Sequence, residues 1–152
     1  MKVQRVLLSR IDVTADGWDN FIFNPDPPYV DRLAQSFERV GQIYPLLLLK
    51  DKDWMFIISG WGRYLAMKKL GVEEVWARVF QKNEISTEQV LWLSLEERSL
   101  RPYKDVAKKR VFEKFRDLAG YSIERLANEV APAIGVEASQ DVVRKILGEE
   151  SL

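Results

Sequence analysis

Gly60, Trp61, Gly62 and Arg63 follow the apolar run Phe56-Ile57-Ile58 and Ser59, and they open an amphipathic stretch that ends at Leu70-Gly71. A buried strand, a glycine turn and a helix with arginine in its first turn make the plan of an anion pocket. Backbone N–H groups at the helix start and a guanidinium beside them hold a phosphate, and glycines let the backbone come close to it. The same two glycines also suit a plain tight turn from strand to helix, and from these residues alone both readings stand.

A second set of residues could meet phosphates. Between Arg98 and Arg116 eight basic residues face only Asp105 and Glu113. At helical spacing Arg101, Lys104, Lys108 and Lys109 lie near one another, away from Val111 and Phe115. A charge run is ordinarily a solvated helix face. What turns this one toward nucleic acid is the neighbouring pair of short helices. In the last of them Gln140 and Arg144 stand one turn apart, away from Val142 and Ile146, and offer an amide and a guanidinium to base edges. Ser139 and Lys145 complete the candidate DNA-binding set, while Glu149 and Glu150 follow at once and would repel phosphate. Trp54, Trp61, Trp76 and Trp92 could form a stacking platform, but tryptophans at strand or helix spacing are more often core or interface. Trp61 differs from the others because periodicity does not dictate its burial; it could stack on a base or plug the pocket.

The elements that position these residues are legible from pattern. Val3 to Leu8 reads as a first strand, and a long loop follows to Asn24-Pro25-Asp26-Pro27-Pro28. Val30, Leu33, Ala34, Phe37 and Val40 take the spacing of one helix face, with Gly41 at the C-terminal cap. Leu46 to Leu49 and Trp54 to Ile58 are strands joined by the polar turn Lys50-Asp51-Lys52-Asp53. A helix from Gly62 to Leu70 and the strand Val75 to Phe80 complete a mixed sheet. Beyond Ser86 everything reads as helix. The expected helices run from Ser86 to about Arg98, from Pro102 to Gly120 with Tyr103, Val106, Val111, Phe115 and Leu118 inside, from Ser122 to Val130, and from Ala138 to Leu147. The fold class is thus α+β, with an α/β domain over residues 1–83 and a helical domain with a helix-turn-helix over 84–152.

The chain has 152 residues with 23 basic and 23 acidic side chains, so net charge argues for neither nucleic acid nor membrane. Cysteine and histidine are absent, which excludes disulfides, thiol catalysis, Cys/His zinc sites and a Ser-His-Asp triad. No stretch has the length of a signal or membrane segment, so a cytoplasmic protein without a membrane partner is expected.

At this point the residues resemble the ParB-like partition proteins of the ParB/sulfiredoxin fold. Gly41-Gln42-Ile43-Tyr44-Pro45 occupies that family's Gly-x-x-x-Pro box, and Gly60 and Arg63 its Gly-x-x-Arg box. Ala66, Leu70, Gly71, Val75, Ala77 and Val79 stand at the following marks, and Asn24-Pro25 resembles an early Asn-Pro. Leu100-Arg101-Pro102 with Ala107, and Tyr121 to Glu124, look like the start and the paired helices of the family's helix-turn-helix. The resemblance implies binding of a nucleoside triphosphate, CTP, with magnesium at Gly60, Trp61, Gly62, Arg63, Gly41 and Gln42, and no metal-ligating residue is identified in this sequence. It also implies duplex DNA as partner, a homodimer, a partner ATPase, and association with the nucleoid. Departures are visible. Trp61 and Gly62 stand where CTP-binding relatives carry Glu and a first Arg, and the family's acid-asparagine pair has no counterpart around Leu95-Glu96-Glu97-Arg98. Sulfiredoxin activity is excluded because its catalytic cysteine would fall at Trp61. The expectation is a DNA-binding protein of partition or regulatory type controlled by a nucleotide, with no catalytic residue identified. The rival is a nucleotide hydrolase, phosphotransferase or nuclease, for which Asp16, Asp19, Asp26 or Glu38 would have to supply metal ligands or a base.

Overall fold

The computed structural model describes residues 2–13, 25–96 and 103–149. Four strands, β1 (Lys2–Leu7), β2 (Leu46–Asp51), β3 (Trp54–Ser59) and β4 (Glu74–Gln81), form one mixed sheet in the order β1-β4-β2-β3. β1 pairs with β4 and β2 with β3 antiparallel, while β2 and β4 run parallel at the centre. A hairpin cannot join parallel neighbours, and the crossover here is built from β3 and the helix that follows it. The strand period is plainest in β4, where Val75, Ala77 and Val79 are buried and Glu74, Trp76 and Arg78 are exposed. The buried three join Val6, Leu46, Leu48, Ile57, Tyr64 and Met67 in the core.

Two helices complete this part: α1 (Pro27–Val40) and α2 (Trp61–Lys69). Pro27 and Pro28 sit in the first turn of α1, where a missing N–H costs nothing, and Gly41 at φ 76° ends it. The contact between α1 and α2 is made by Val30, Ala34 and Ala66, flanked by Leu33, Leu65 and Leu70. Small residues on both sides let the two axes come close.

The chain divides into two compact units, Met1–Ser86 and Thr87–Leu152. The second is entirely helical among the described residues. It holds α3 (Thr87–Glu96), α4 (Asp105–Ala119), a run made of α5 (Ile123–Arg125), a π segment (Leu126–Val130) and α6 (Ala131–Ala133), and finally α7 (Gln140–Leu147). The fold class is α+β, a small mixed sheet with helices followed by helices alone.

Several expectations need correction. The first strand ends at Leu7, and Leu8 begins a short 3-10 turn. α4 starts at Asp105 with Lys104 at its N-cap, while Leu100, Arg101 and Pro102 lie outside the described residues, as do Asn24 and Arg98. Val106 and Leu118 were expected inside α4, yet they are 66% and 50% exposed. The buried face of that helix runs through Ala107, Val111, Phe112 and Phe115, and Val106 falls on the opposite side of the helix from it. The helix expected to end at Val130 continues to Ala133, so the connection shrinks to Ile134–Ser139. Trp54 and Trp76 are 51% and 43% exposed, because Trp54 sits at the hairpin end of β3 and Trp76 on the outward register of β4.

Candidate nucleotide box and nucleic-acid interface

The glycine turn has a structural explanation at each glycine. Gly60 is the N-cap of α2 at φ 109°, a region that side chains rarely enter. A Cβ there would come within 2.7 Å of Leu46 Cδ2, so the turn passes directly against the sheet core. Gly62 lies on the face of α2 turned to α1, and a Cβ there would stand 3.0 Å from Tyr29 Cε1 and 3.3 Å from Leu33 Cδ1. Between them Trp61 stacks on Tyr64, with centroids 5.4 Å apart and planes 10° from parallel, and packs against the sheet core.

Arg63 projects from the first turn of α2, and its guanidinium carbon lies 5.7 Å from the ring centroid of Tyr44. The Gln42 amide bridges to the sheet: its Nε2 donates to Trp76 O (2.8 Å) and Tyr44 O (3.1 Å), and Trp76 N donates to its Oε1 (2.7 Å). Gln42 thus continues the hydrogen bonding of β4 with its side chain.

Of the six residues expected at a nucleotide, Gly41, Gln42 and Arg63 come together on the wall of one pocket of about 130 Å3, whereas Gly60, Trp61 and Gly62 do not line it. Its remaining walls are mostly apolar, with Leu33, Phe37 and Met67 prominent. Sequence reading missed these because the one-face spacing of Leu33 and Phe37 marks them equally as core. Ligand-sized pockets usually reach about 300–1,000 Å3, so this one is small. Of the carboxylates named for an enzyme, Asp16 and Asp19 lie outside the described residues. The Asp26 carbonyl accepts from the N–H groups of Tyr29 and Val30 at the start of α1, and Glu38 is exposed. Among the described residues no group of three or more acidic side chains is placed to hold a metal ion.

In the helical unit Lys104 and Lys109 are exposed, while Lys108 is half-buried with its ammonium 3.8 Å from Asp105. Lys109 and Arg110 share the outer side of α4 with Val106, Glu113 and Asp117, so the charge there is mixed. Arg116 is bound to Asp117 (2.8 Å) and Glu149 (3.1 Å). The hydrogen bond from Arg116 holds the Asp117 carboxyl below its ordinary range and raises the guanidinium in turn. Glu149, expected to repel phosphate, is therefore already partnered. Ser139 caps α7 by accepting from Val142 N (3.4 Å), Gln140 and Lys145 are exposed, and Arg144 lies 3.6 Å from Asp141. Arg101 lies outside the described residues.

The run before α7 is anchored by a polar cluster. Tyr121 donates to Glu88 Oε1 (2.5 Å) and accepts from Trp92 Nε1 (3.1 Å), and Arg125 covers its ring at 3.8 Å while reaching Glu88 (3.1 Å). Burial, then the bond to Glu88, pushes the phenol above its ordinary value. Ser122 caps the run by accepting from Arg125 N.

Among the described residues no helix is long and apolar enough to cross a membrane. The sequence matches no family model and no curated protein. Solved structures do match it. A C-terminally truncated chromosome-partitioning protein ParB from Caulobacter crescentus, complexed with CTP-gamma-S, is similar over 97% of this chain and 77% of its own, at 16% identity and a TM-score of 0.55. The same protein complexed to the centromeric parS site is similar over 95% and 70%, at 15% identity and 0.54. A Pnob8-like ParB-N domain is similar over 86% of this chain and 46% of its own, at 19% identity and 0.50. At these identities what is shared is the fold, and the fold of this chain is that of the ParB structures.

Proposed function

We propose that this protein binds duplex DNA through its helical unit, as a partition or regulatory protein of ParB type. The observation that carries the reading is the reach of the likeness: similarity to a ParB complexed to parS extends over 95% of the chain and so takes in the helical unit. The run 123–133 and α7 act as a helix-turn-helix, with α7 presenting Gln140, Arg144 and Lys145 to the groove. Lys104 and Lys109 are exposed and supply phosphate contacts. Nucleotide control at the Gly-x-x-Arg box is the finer part of the proposal. It is supported by Arg63 on the pocket wall and by the likeness to the CTP-gamma-S complex.

The test is fluorescence anisotropy with duplex DNA across a salt series, with CTP and magnesium present and absent. Affinity should fall steeply as salt rises, because each phosphate contact releases a counterion. Arg144→Ala should cost about 1–3 kcal/mol on a preferred site and little on random DNA. Absence of duplex binding even at low salt sinks the DNA reading. Saturable turnover of CTP or ATP with magnesium would instead move the protein to the rival enzyme class.

A further inference from the structure

We infer that the free edge of β1 docks an extended acidic segment of another protein, which adds to the sheet as a further strand. The sheet has two edges. At the β3 edge the chain covers itself: Ile11 bridges to Met55 in parallel register, and Asp12 N donates to Met55 O (2.8 Å). At the β1 edge no described segment pairs. The direction of the β1 main chain follows from its neighbours. Leu8 N donates to Glu73 O in continuation of the β1–β4 register, and the N–H and C=O of Trp76 are turned to the Gln42 amide. Antiparallel bonding alternates, so Gln4 and Val6 bond β4, while Val3 and Arg5, opposite Arg78 and Trp76, aim their N–H and C=O groups outward. A row of such groups is a template for strand addition. Side chains and charge select the occupant. Val3 and Leu7, 52% and 45% exposed, share one face of β1 with Arg5 between them, and an incoming strand covers them with apolar residues at the same spacing. Residues 1–11 include Lys2, Arg5 and Arg10 and no acid. Arg5 is already held by Glu74 (3.1 Å) and lies over Trp76, so it is not the anchor. Arg10 and Arg78 are exposed and have no ion pair among the described residues, and Arg78 stands opposite Val3 on the outward register of β4. They favour acidic residues at the ends of the added strand. A second copy of β1 would instead bring like charges together across the new pair, which disfavours self-pairing.

The experiment is NMR amide exchange on the full chain, titrated with acetyl-Glu-Thr-Val-Thr-Thr-Thr-Val-Thr-Glu-amide and with the same peptide carrying Lys in place of both Glu. The acidic peptide should slow exchange of the Val3 and Arg5 N–H groups at least about tenfold at saturation, with a Kd on the order of 1 mM or tighter. The Lys peptide should bind at least about threefold more weakly, and Arg78→Gln should narrow that difference. Val3→Pro removes one outward donor at an edge position where proline is tolerated, and it should abolish the protection of Arg5. The wild-type protein with the two peptides keeps the test decisive should that variant fold poorly. No protection at Val3 and Arg5, equal affinity for both peptides, or retained protection in folded Val3→Pro would each overturn the inference. Protection that rises with protein concentration in the absence of peptide would overturn it in favour of a second copy of the chain. Protection by a thymidine oligonucleotide and not by the acidic peptide would overturn it in favour of single-stranded nucleic acid.

Discussion

The two units treat their candidate ligand residues in opposite ways. In the α/β unit the residues that look most like a phosphate cradle are taken up by the fold: Gly60 clears Leu46, Gly62 clears Tyr29, Trp61 stacks on Tyr64 and Gln42 completes the hydrogen bonding of β4. In the helical unit Lys104, Lys109, Gln140 and Lys145 are exposed on helices whose stability comes from the other side, through Val111, Phe112, Phe115 and Val143. A glycine or amide is informative about ligands only after its structural use has been subtracted. Exposed polar residues on a well-buried helix need far less subtraction, since little of the fold depends on them.

The contrast can be broken by mutation. The largest effect on stability should come from Gly60→Ala, which meets Leu46 at 2.7 Å and forces a side chain to φ 109°. It should cost about 2–4 kcal/mol in urea unfolding, whereas Gly71→Ala, at φ 72° with nothing near, should cost about 1 kcal/mol. Equal losses would mean that the turn is not pressed against the sheet.

Next is Tyr121→Phe, which removes a donor to Glu88 and an acceptor for Trp92 and should cost about 1–2 kcal/mol. Its pH dependence carries a sign. The folded phenol titrates above the unfolded one, so its contribution is complete below about pH 10 and is lost as pH rises through the folded value. Wild type should therefore lose stability above that pH more steeply than Tyr121→Phe, as followed by urea midpoints.

Gln42→Ala should cost about 1 kcal/mol, since its bonds to Trp76 lie at a partly exposed edge. Amide exchange at Trp76 should accelerate with it. The smallest change in stability, within about 0.5 kcal/mol, is expected from Lys109→Ala combined with Lys145→Ala. The same pair should flatten the salt slope of DNA binding by about two units. A slope that does not move would take both lysines out of the interface.

How much was legible follows from the range of the forces involved. Helix ends were readable where a cap fixes them locally: Gly41, Gly120 and Ser122 stand where sequence places them. The burial of Val106 was misread because Val106 and Ala107 are neighbours in sequence, and only packing chooses which of the two sides of α4 turns inward. The pocket walls were hidden for a related reason. Leu33 and Phe37 carry the same spacing whether a helix face is wholly covered or leaves a gap.

By itself the sequence determined the α+β class, the strand and helix runs, the absence of cysteine and histidine chemistry, and the Gly-x-x-Arg box. These depend on residue type, on period and on local caps, all of which act within a few residues. Tertiary structure alone decided that β2 and β4 pair parallel at the centre of the sheet, that Gln42 is bound to Trp76, and that Arg63 and Tyr44 flank an apolar pocket. Each joins residues far apart in the chain, and such pairings are set by which faces must be buried together, a condition that no local pattern contains.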